Sequence, residues 1–139
     1  MNYLLDTCVV SELVARQPNP QVVAWMHGLA DEQVYLSTIT IGEIQKGIHK
    51  LGDVPRREGL QSWLEDDLLT RFHGRILSPT LPVMLAWGKL CAELGQMGRP
   101  LPAIDSLIAA IALHHNLPLA TRNEIDFAHT GVTLINPWN

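Results

Sequence analysis

Three carboxylates in this chain, Asp6, Glu43 and Asp105, stand where an α/β protein could gather them around a divalent metal ion. Asp6 ends the apolar run Tyr3-Leu4-Leu5, and Glu43 lies three residues beyond Thr40. Asp105 sits at the head of the apolar stretch from Ile104 to Leu113. An ionised carboxylate opening so apolar a segment is costly to desolvate unless it is paired or metal-bound. Each acid also has an ordinary use. Asp105 suits the positive end of a helix dipole, Glu43 fits the third position of a capping box opened by Thr40, and Asp6 could end a strand or cap a helix. As a set they are hard oxygen donors with no accompanying Cys or His ligand set, which points to magnesium or manganese rather than zinc. Such an ion can activate water and stabilise the charge that develops when a phosphodiester is cut.

The elements that must position these acids can be read from hydrophobic periodicity. Tyr3 to Leu5, Val34 to Ser37, Arg75 to Leu77, Leu117 to Ala120 and Val132 to Ile135 are short apolar runs of strand type. Between them the pattern turns helical. Helices are predicted over Val9 to Ala15, over Gln21 to Leu29 behind an Asn19 cap with Pro20 in the first turn, and from the Thr40 cap to about Leu51. Further helices are predicted over Pro55 to Arg71, with Leu60, Trp63, Leu64 and Leu68 on one stripe, over Leu81 to Met97, and over Ala103 to His115. Short strands alternating with helices predict an α/β sandwich on a mostly parallel sheet. Ligands in such sheets bind beyond the carboxyl ends of the strands. Asp6 lies at the end of the first strand, and Thr121, Arg122 and Asn123 follow the fourth directly, so these ends should converge on one crevice.

Composition narrows the class. With 139 residues, a single domain spanning 1–139 is expected. Hydrophobic residues at 47% and charged residues at 17% describe a globular chain, not a disordered one. Cys8 and Cys91 stand far apart, giving neither a disulfide framework nor zinc spacing, which suits a reducing cytosol. The N-terminus lacks the basic and long apolar regions of a secretory signal, and no apolar run approaches the roughly 18 residues of a bilayer span. A cytoplasmic protein with no membrane partner is expected. The net charge of −4 argues against a passive nucleic-acid binder. It is compatible with a nuclease, because a bound metal offsets carboxylate charge where a phosphate must sit.

Other polar residues carry less. Lys46 and Lys50 share the helical face of Glu43 and could meet phosphates on the rim of the site or simply face solvent. Arg122 is the better phosphate candidate. His114-His115 suits the negative end of its helix, and the six histidines show no metal-ligand spacing. Glu65-Asp66-Asp67 reads as a solvated patch. No glycine-rich phosphate loop is present.

Four motifs, taken in order, resemble those of the PIN-domain family, in particular the VapC/FitB-like toxins of type II toxin–antitoxin modules. They are Leu5-Asp6-Thr7-Cys8-Val9-Val10-Ser11-Glu12-Leu13, then Ser37-Thr38-Ile39-Thr40-Ile41-Gly42-Glu43-Ile44-Gln45-Lys46-Gly47-Ile48, then Pro102-Ala103-Ile104-Asp105-Ser106-Leu107-Ile108-Ala109-Ala110, then Thr121-Arg122-Asn123-Glu124-Ile125-Asp126-Phe127. The resemblance implies a PIN-like three-layer α/β/α sandwich and an endoribonuclease selective for RNA sequence or structure. It implies that Asp6, Glu43 and Asp105 are the main metal-site acids and that Asp126 completes the cluster through water or a second metal. Thr121 and Asn123 would orient waters or carboxylates. A homodimer and a cognate VapB/FitA-like antitoxin are implied as partners. The chain departs from many relatives at Cys8, where they carry Asn, which puts one hydrogen bond near the site in doubt but no metal-site acid.

The antitoxin expectation also has a physical side. A crevice lined by four acids is a receptor for an inserted Arg or Lys, and apolar stripes at Val9 to Val14 and along Leu60, Trp63 and Leu64 offer a groove for an amphipathic segment. Self-association is expected from Trp25, Trp63, Trp87 and Trp138, many for so short a chain. Two other functions compete. A phosphatase of the haloacid-dehalogenase kind also opens with a strand ending in Asp, but it needs a second Asp where this chain has Cys8. A catalytically idle PIN-fold binding protein is the other, though it would have no reason to keep four repelling carboxylates.

Overall fold

Five short strands are enough to build this molecule because helices pack on both faces of the sheet, burying the central strands and half-burying the edge strands. The computed structural model describes residues 1–139. Its strands β1 (Tyr3–Leu5), β2 (Val34–Ser37), β3 (Ile76–Leu77), β4 (Leu119–Ala120) and β5 (Leu134–Ile135) lie in the order β3-β2-β1-β4-β5. Every neighbouring pair is parallel, so the sheet is wholly parallel. Adjacent residues of β1 point to opposite faces. Leu5 enters one apolar cluster with Val34, Leu36 and Ala120. Leu4 enters the other with Leu119. Helices cover both faces, as a parallel sheet requires.

On the first face lie α1 (Thr7–Leu13), α2 (Pro20–His27) and α3 (Thr38–His49). The segment α4 (Val54–Ser62), with the π-helical turn Trp63–Leu68 and α5 (Leu69–Arg71), completes that layer. The second face is covered by α6 (Leu81–Gln96), α7 (Ala103–His114) and the short α8 (Glu124–Phe127). This is the three-layer α/β/α arrangement. No helix is long and apolar enough to cross a membrane.

Several local expectations need correcting. Thr40 does not cap α3: Ser37 does, its Oγ accepting the Thr40 N–H at 3.0 Å. The helix therefore starts three residues earlier, and Glu43 lies beyond the first turn instead of closing a capping box. The first helix likewise starts at Thr7, because Asp6 Oδ1 accepts the Thr7 N–H at 2.8 Å and caps it. Pro55 to Arg71 is not one α-helix. Leu60, Leu64, Leu68 and Phe72 recur every four residues, a row that 3.6 residues per turn would carry around the axis. The wider π turn holds Leu64, Leu68 and Phe72 buried and leaves Glu65, Asp66 and Asp67 exposed.

The strand order reverses direction between β1 and β4, because β2 and β3 extend to one side of β1 while β4 and β5 extend to the other. The helices after these strands depart to opposite faces, which opens a crevice at the carboxyl ends. Asp6 and Thr121 are the first residues past β1 and β4.

Candidate active site

Asp6 is only 4% exposed and is held by both strands that flank the crevice. Its backbone N–H donates to Ala120 O at 2.9 Å, continuing the β1–β4 pairing one residue beyond the sheet. Its Oδ2 accepts the hydroxyl of the fully buried Thr121 at 2.7 Å. Thr121 Oγ1 in turn accepts the Asn123 backbone N–H at 3.0 Å. Asn123 thus acts through its main chain; its side-chain amide makes no hydrogen bond to a carboxylate.

Glu43 is brought to Asp6 by a line of hydroxyls. Thr7 Oγ1 lies 2.6 Å from Glu43 Oε1 and 3.0 Å from Thr40 Oγ1, which lies 3.3 Å from Ser37 Oγ. Each hydroxyl has one proton to give. Thr7 gives its proton to the carboxylate, Thr40 gives to Thr7, and Ser37 gives to Thr40. Sequence reading overlooked Thr7 and Ser37 as site residues. The available signal was Thr7 directly after Asp6, since one residue can cap with its backbone and reach across with its side chain.

Asp105 lies in the first turn of α7, half-buried. Burial pushes its carboxyl above the usual aspartate range, and the charges of Asp6, Glu43 and Asp126 push it the same way. Asp105 on α7 is therefore within reach of the charges of Asp6 past β1, Glu43 on α3 and Asp126 on α8. Asp126 is exposed at the rim. No basic side chain neutralises the group: the two salt bridges, Arg16–Asp53 and Arg71–Asp31, are elsewhere. No three Asp, Glu, His or Cys side chains close on one point as a ready-made cage. Magnesium does not need such a cage, being held by one or two carboxylates with waters and phosphate oxygens. Mutually repelling, unpaired carboxylates fit that mode of binding. Lys46 stands exposed on α3, lining a shallow recess of about 360 Å³ with Thr38, Ile39, Gly42, Glu43 and Ile104.

Cys8 Sγ lies 3.6 Å from Asp6 Oδ2 and 3.7 Å from Thr121 Oγ1. Burial and then the Asp6 charge push its thiol up, so it stays a neutral donor beside the carboxylate. His114 and His115 pack edge to face at 4.9 Å at the far end of α7. Burial first, then the neighbouring His114, holds His115 below its usual value.

Two surface expectations change. Of the predicted stripes, Val14, Leu60 and Trp63 line a groove of about 220 Å³ that also takes in Glu43, whereas Val9 and Leu64 are core residues at 0% and 2% exposure. Val10, Leu13, Val14, Trp63, Leu68 and Phe72 line a second cavity of about 320 Å³ between α1, α2 and the π turn, with His27, Asp67 and Arg71 also in its wall. None of the four tryptophans is exposed. Trp25 packs edge-on against Tyr3, and Trp87 donates to Ser106 Oγ at 2.9 Å. Exposed apolar side chains lie elsewhere, at Leu81, Met84 and Leu85 on α6 and at Ile104.

A wholly parallel sheet with an acidic crevice at its switch point is a scaffold used by many nucleotide- and metal-binding proteins, and comparison with known proteins narrows the class. Residues 3–132 match the family model of the PIN domain, and the chain belongs to that family. Within it, the chain is 39% identical to Toxin FitB of Neisseria gonorrhoeae over 98% of both chains. It is 35% identical to the VapC ribonuclease Y4jK of Sinorhizobium fredii, over 97% of this chain and 96% of that one. The crystal structure of FitAcB from Neisseria gonorrhoeae superposes with a TM-score of 0.94 at 39% identity, covering 99% of each chain.

Proposed function

We propose that this chain is an endoribonuclease dependent on magnesium or manganese and that it acts as the toxin of a toxin–antitoxin pair. The observation that carries this reading is the placement of Asp6 and Glu43 on either side of Thr7, with Asp105 within reach of their charges and that of Asp126 and no salt bridge to any of the four. Asp6, Glu43 and Asp105 would hold the ion, with Asp126 joining through water or a second ion. A metal held there supplies a polarised phosphate and a more acidic water. The chain's own contribution is positional. Thr121 fixes Asp6, the hydroxyl line from Ser37 through Thr40 and Thr7 fixes Glu43, and the start of α7 presents Asp105. Lys46 and Arg122 flank the acids as candidate phosphate contacts.

Relatives named a toxin and a ribonuclease support the two halves of this reading. A ribonuclease working among the host's own RNA needs an inhibitor. The apolar cavity beside α1 and the acidic crevice together suit a partner segment with an apolar face and a basic tip. We place the activity in the cytoplasm, where the free thiols of Cys8 and Cys91 stay reduced. The unpaired apolar surface of α6 supports a homodimer. A phosphatase mechanism through Asp6 lacks the second aspartate, since Cys8 occupies its position.

The test is cleavage of an RNA panel by purified protein with and without magnesium, followed by sequencing of RNA ends after induced expression. Metal-dependent cuts at defined positions support the reading. No cleavage of any RNA, with normal folding and metal present, favours an idle binding protein.

A further inference from the structure

Three arginines lie over an aromatic ring, Arg71 and Arg75 over Phe72 and Arg122 over Trp138, and of these only Arg122 has no salt bridge or side-chain hydrogen bond besides. Arg16 and Arg71 are paired with aspartates, and Arg56, Arg57 and Arg75 donate to backbone carbonyls. Arg122 makes neither kind of contact. Its guanidinium carbon lies 5.1 Å from the centre of the Trp138 ring. Trp138 is itself fixed. Its backbone N–H donates to Asn136 Oδ1 at 2.9 Å, the Asn136 amide donates to Glu124 Oε2 at 3.0 Å, and the indole packs on the core of the α1–α2 face.

The difference matters chemically. A salt bridge occupies the guanidinium's donors and cancels its charge. Contact with an aromatic face steadies the cation through the ring quadrupole and leaves the N–H donors free at the edge of the plane. Those donors match the oxygens of a phosphate. The position matters too. Arg122 directly follows Thr121, whose hydroxyl holds Asp6, and the Arg122 backbone N–H faces Cys8 Sγ beside the same carboxylate. An exposed cation with free donors therefore stands next to an acidic crevice that no other arginine neutralises.

Resting on the nuclease reading above, we propose that Arg122 binds an RNA backbone phosphate at the edge of the carboxylate site, and that Trp138 is a positioning residue that holds the guanidinium for it. The contact is to phosphate, so it contributes to affinity for any single-stranded RNA and not to base choice.

The test measures binding separately from cleavage. In an Asp105→Asn background, a fluorescein-labelled single-stranded RNA oligonucleotide of mixed sequence is titrated by anisotropy, with magnesium fixed and sodium chloride varied. Arg122→Gln should weaken binding roughly tenfold, the effect of a lost charge-assisted hydrogen bond. It should also lower the steepness of log Kd against log salt by about 0.7, one phosphate contact on a single strand. Trp138→Leu should weaken binding about threefold, in line with a partly exposed cation–π contact. Trp138→Phe should largely restore it. On top of Arg122→Gln, Trp138→Leu should add nothing, whereas a purely structural tryptophan would lower binding equally with or without the arginine. Arg122 is exposed, so its variant folds independently of how Trp138 variants behave. An unchanged salt slope in Arg122→Gln overturns the proposal even where RNA is still bound and cut, leaving the nuclease reading intact. A wild-type chain that neither binds nor cuts RNA overturns both.

Discussion

Thr7 donates its hydroxyl to Glu43 Oε1 at 2.6 Å, while its backbone N–H donates to Asp6 Oδ1 at 2.8 Å. One residue thus sets the separation of two acids that come from different elements. Outer partners of this kind tune metal sites strongly. Thr7→Val keeps the shape and removes the donor, so manganese affinity measured by calorimetry should fall about 10- to 100-fold. Stability should fall by about 1 kcal/mol, the net worth of one hydrogen bond. Thr7→Ser should keep both near wild type. Wild-type manganese affinity in Thr7→Val would show that Glu43 needs no such restraint.

Asp105 offers a test in which activity and stability move in opposite directions. Asp105→Asn should lower RNA cleavage by about a hundredfold or more, because several kcal/mol of metal-derived stabilisation depend on the site. Excess chelator should do the same to the wild type. Without metal, the variant should be the more stable protein near neutral pH. The folded state raises the Asp105 carboxyl above its ordinary value of 3.8 through burial and like charge. Its stabilising contribution is therefore complete below the unfolded value and is lost as pH rises through the folded one. Replacing it with a neutral amide removes that loss, so the gain in Tm should be present near neutrality and shrink in acid. Melts in EDTA across this range decide the matter. An Asp105→Asn protein less stable than wild type at neutral pH would mean that the carboxylates do not repel one another as the structure implies.

The convergence of these acids was only partly legible in the chain. β1 and β4 are apolar runs ending in polar residues, and their ends mark the crevice directly. Asp105 announces itself because it opens an otherwise apolar helix. Glu43 is harder. A Thr-x-x-Glu spacing reads as a capping box, yet Ser37 competes for the cap and wins because β2 ends on it. That shift moves Glu43 from the helix start to a site facing Thr7. The π turn at Trp63–Leu68 was invisible to a search for 3.6-residue periodicity, since its four-residue row of leucines reads as an ordinary amphipathic stripe. The Trp138–Arg122 contact links residues on separate strand ends, and nothing local in either segment points to the other.

Leu81 and Leu85 are 74% and 69% exposed, with Met84 between them on the same helix and Ile104 exposed at the start of the adjacent α7. Apolar patches of this kind usually mark an interface, and a two-fold pairing is the commonest closed form. Sedimentation at micromolar concentration should give twice the 15.4 kDa chain mass. Leu85→Lys should shift it to a single chain without unfolding, since the side chain is not part of the core. A wild-type protein that sediments as a monomer would leave this patch without a partner of its own kind.

The cavity beside α1 makes the inhibitory partner testable apart from the chemistry. Val10 and Leu13 on α1, with Trp63 and Leu68 from the π turn, line about 320 Å³ of mostly apolar space. An amphipathic segment seated there would cover the part-exposed Leu13 and Trp63, at roughly 25 cal/mol for each Å² of apolar surface removed from water. A basic residue at its tip would reach charge-assisted contacts with the acids of the crevice. Leu13 is half-buried and lies at the end of α1, away from Asp6 at its start. Leu13→Arg should therefore leave RNA cleavage within a few-fold of wild type. It should weaken capture of the protein encoded beside this chain by about a hundredfold, because a central apolar anchor is typically worth 2 kcal/mol or more. Co-expression followed by pull-down and a growth assay reads both effects. The variant should arrest growth even when the neighbour is present, while the wild type is silenced by it. Equal silencing of both would place the partner elsewhere on the surface, and a chain harmless on its own, with no neighbour that binds, would end the toxin reading while leaving the nuclease one standing.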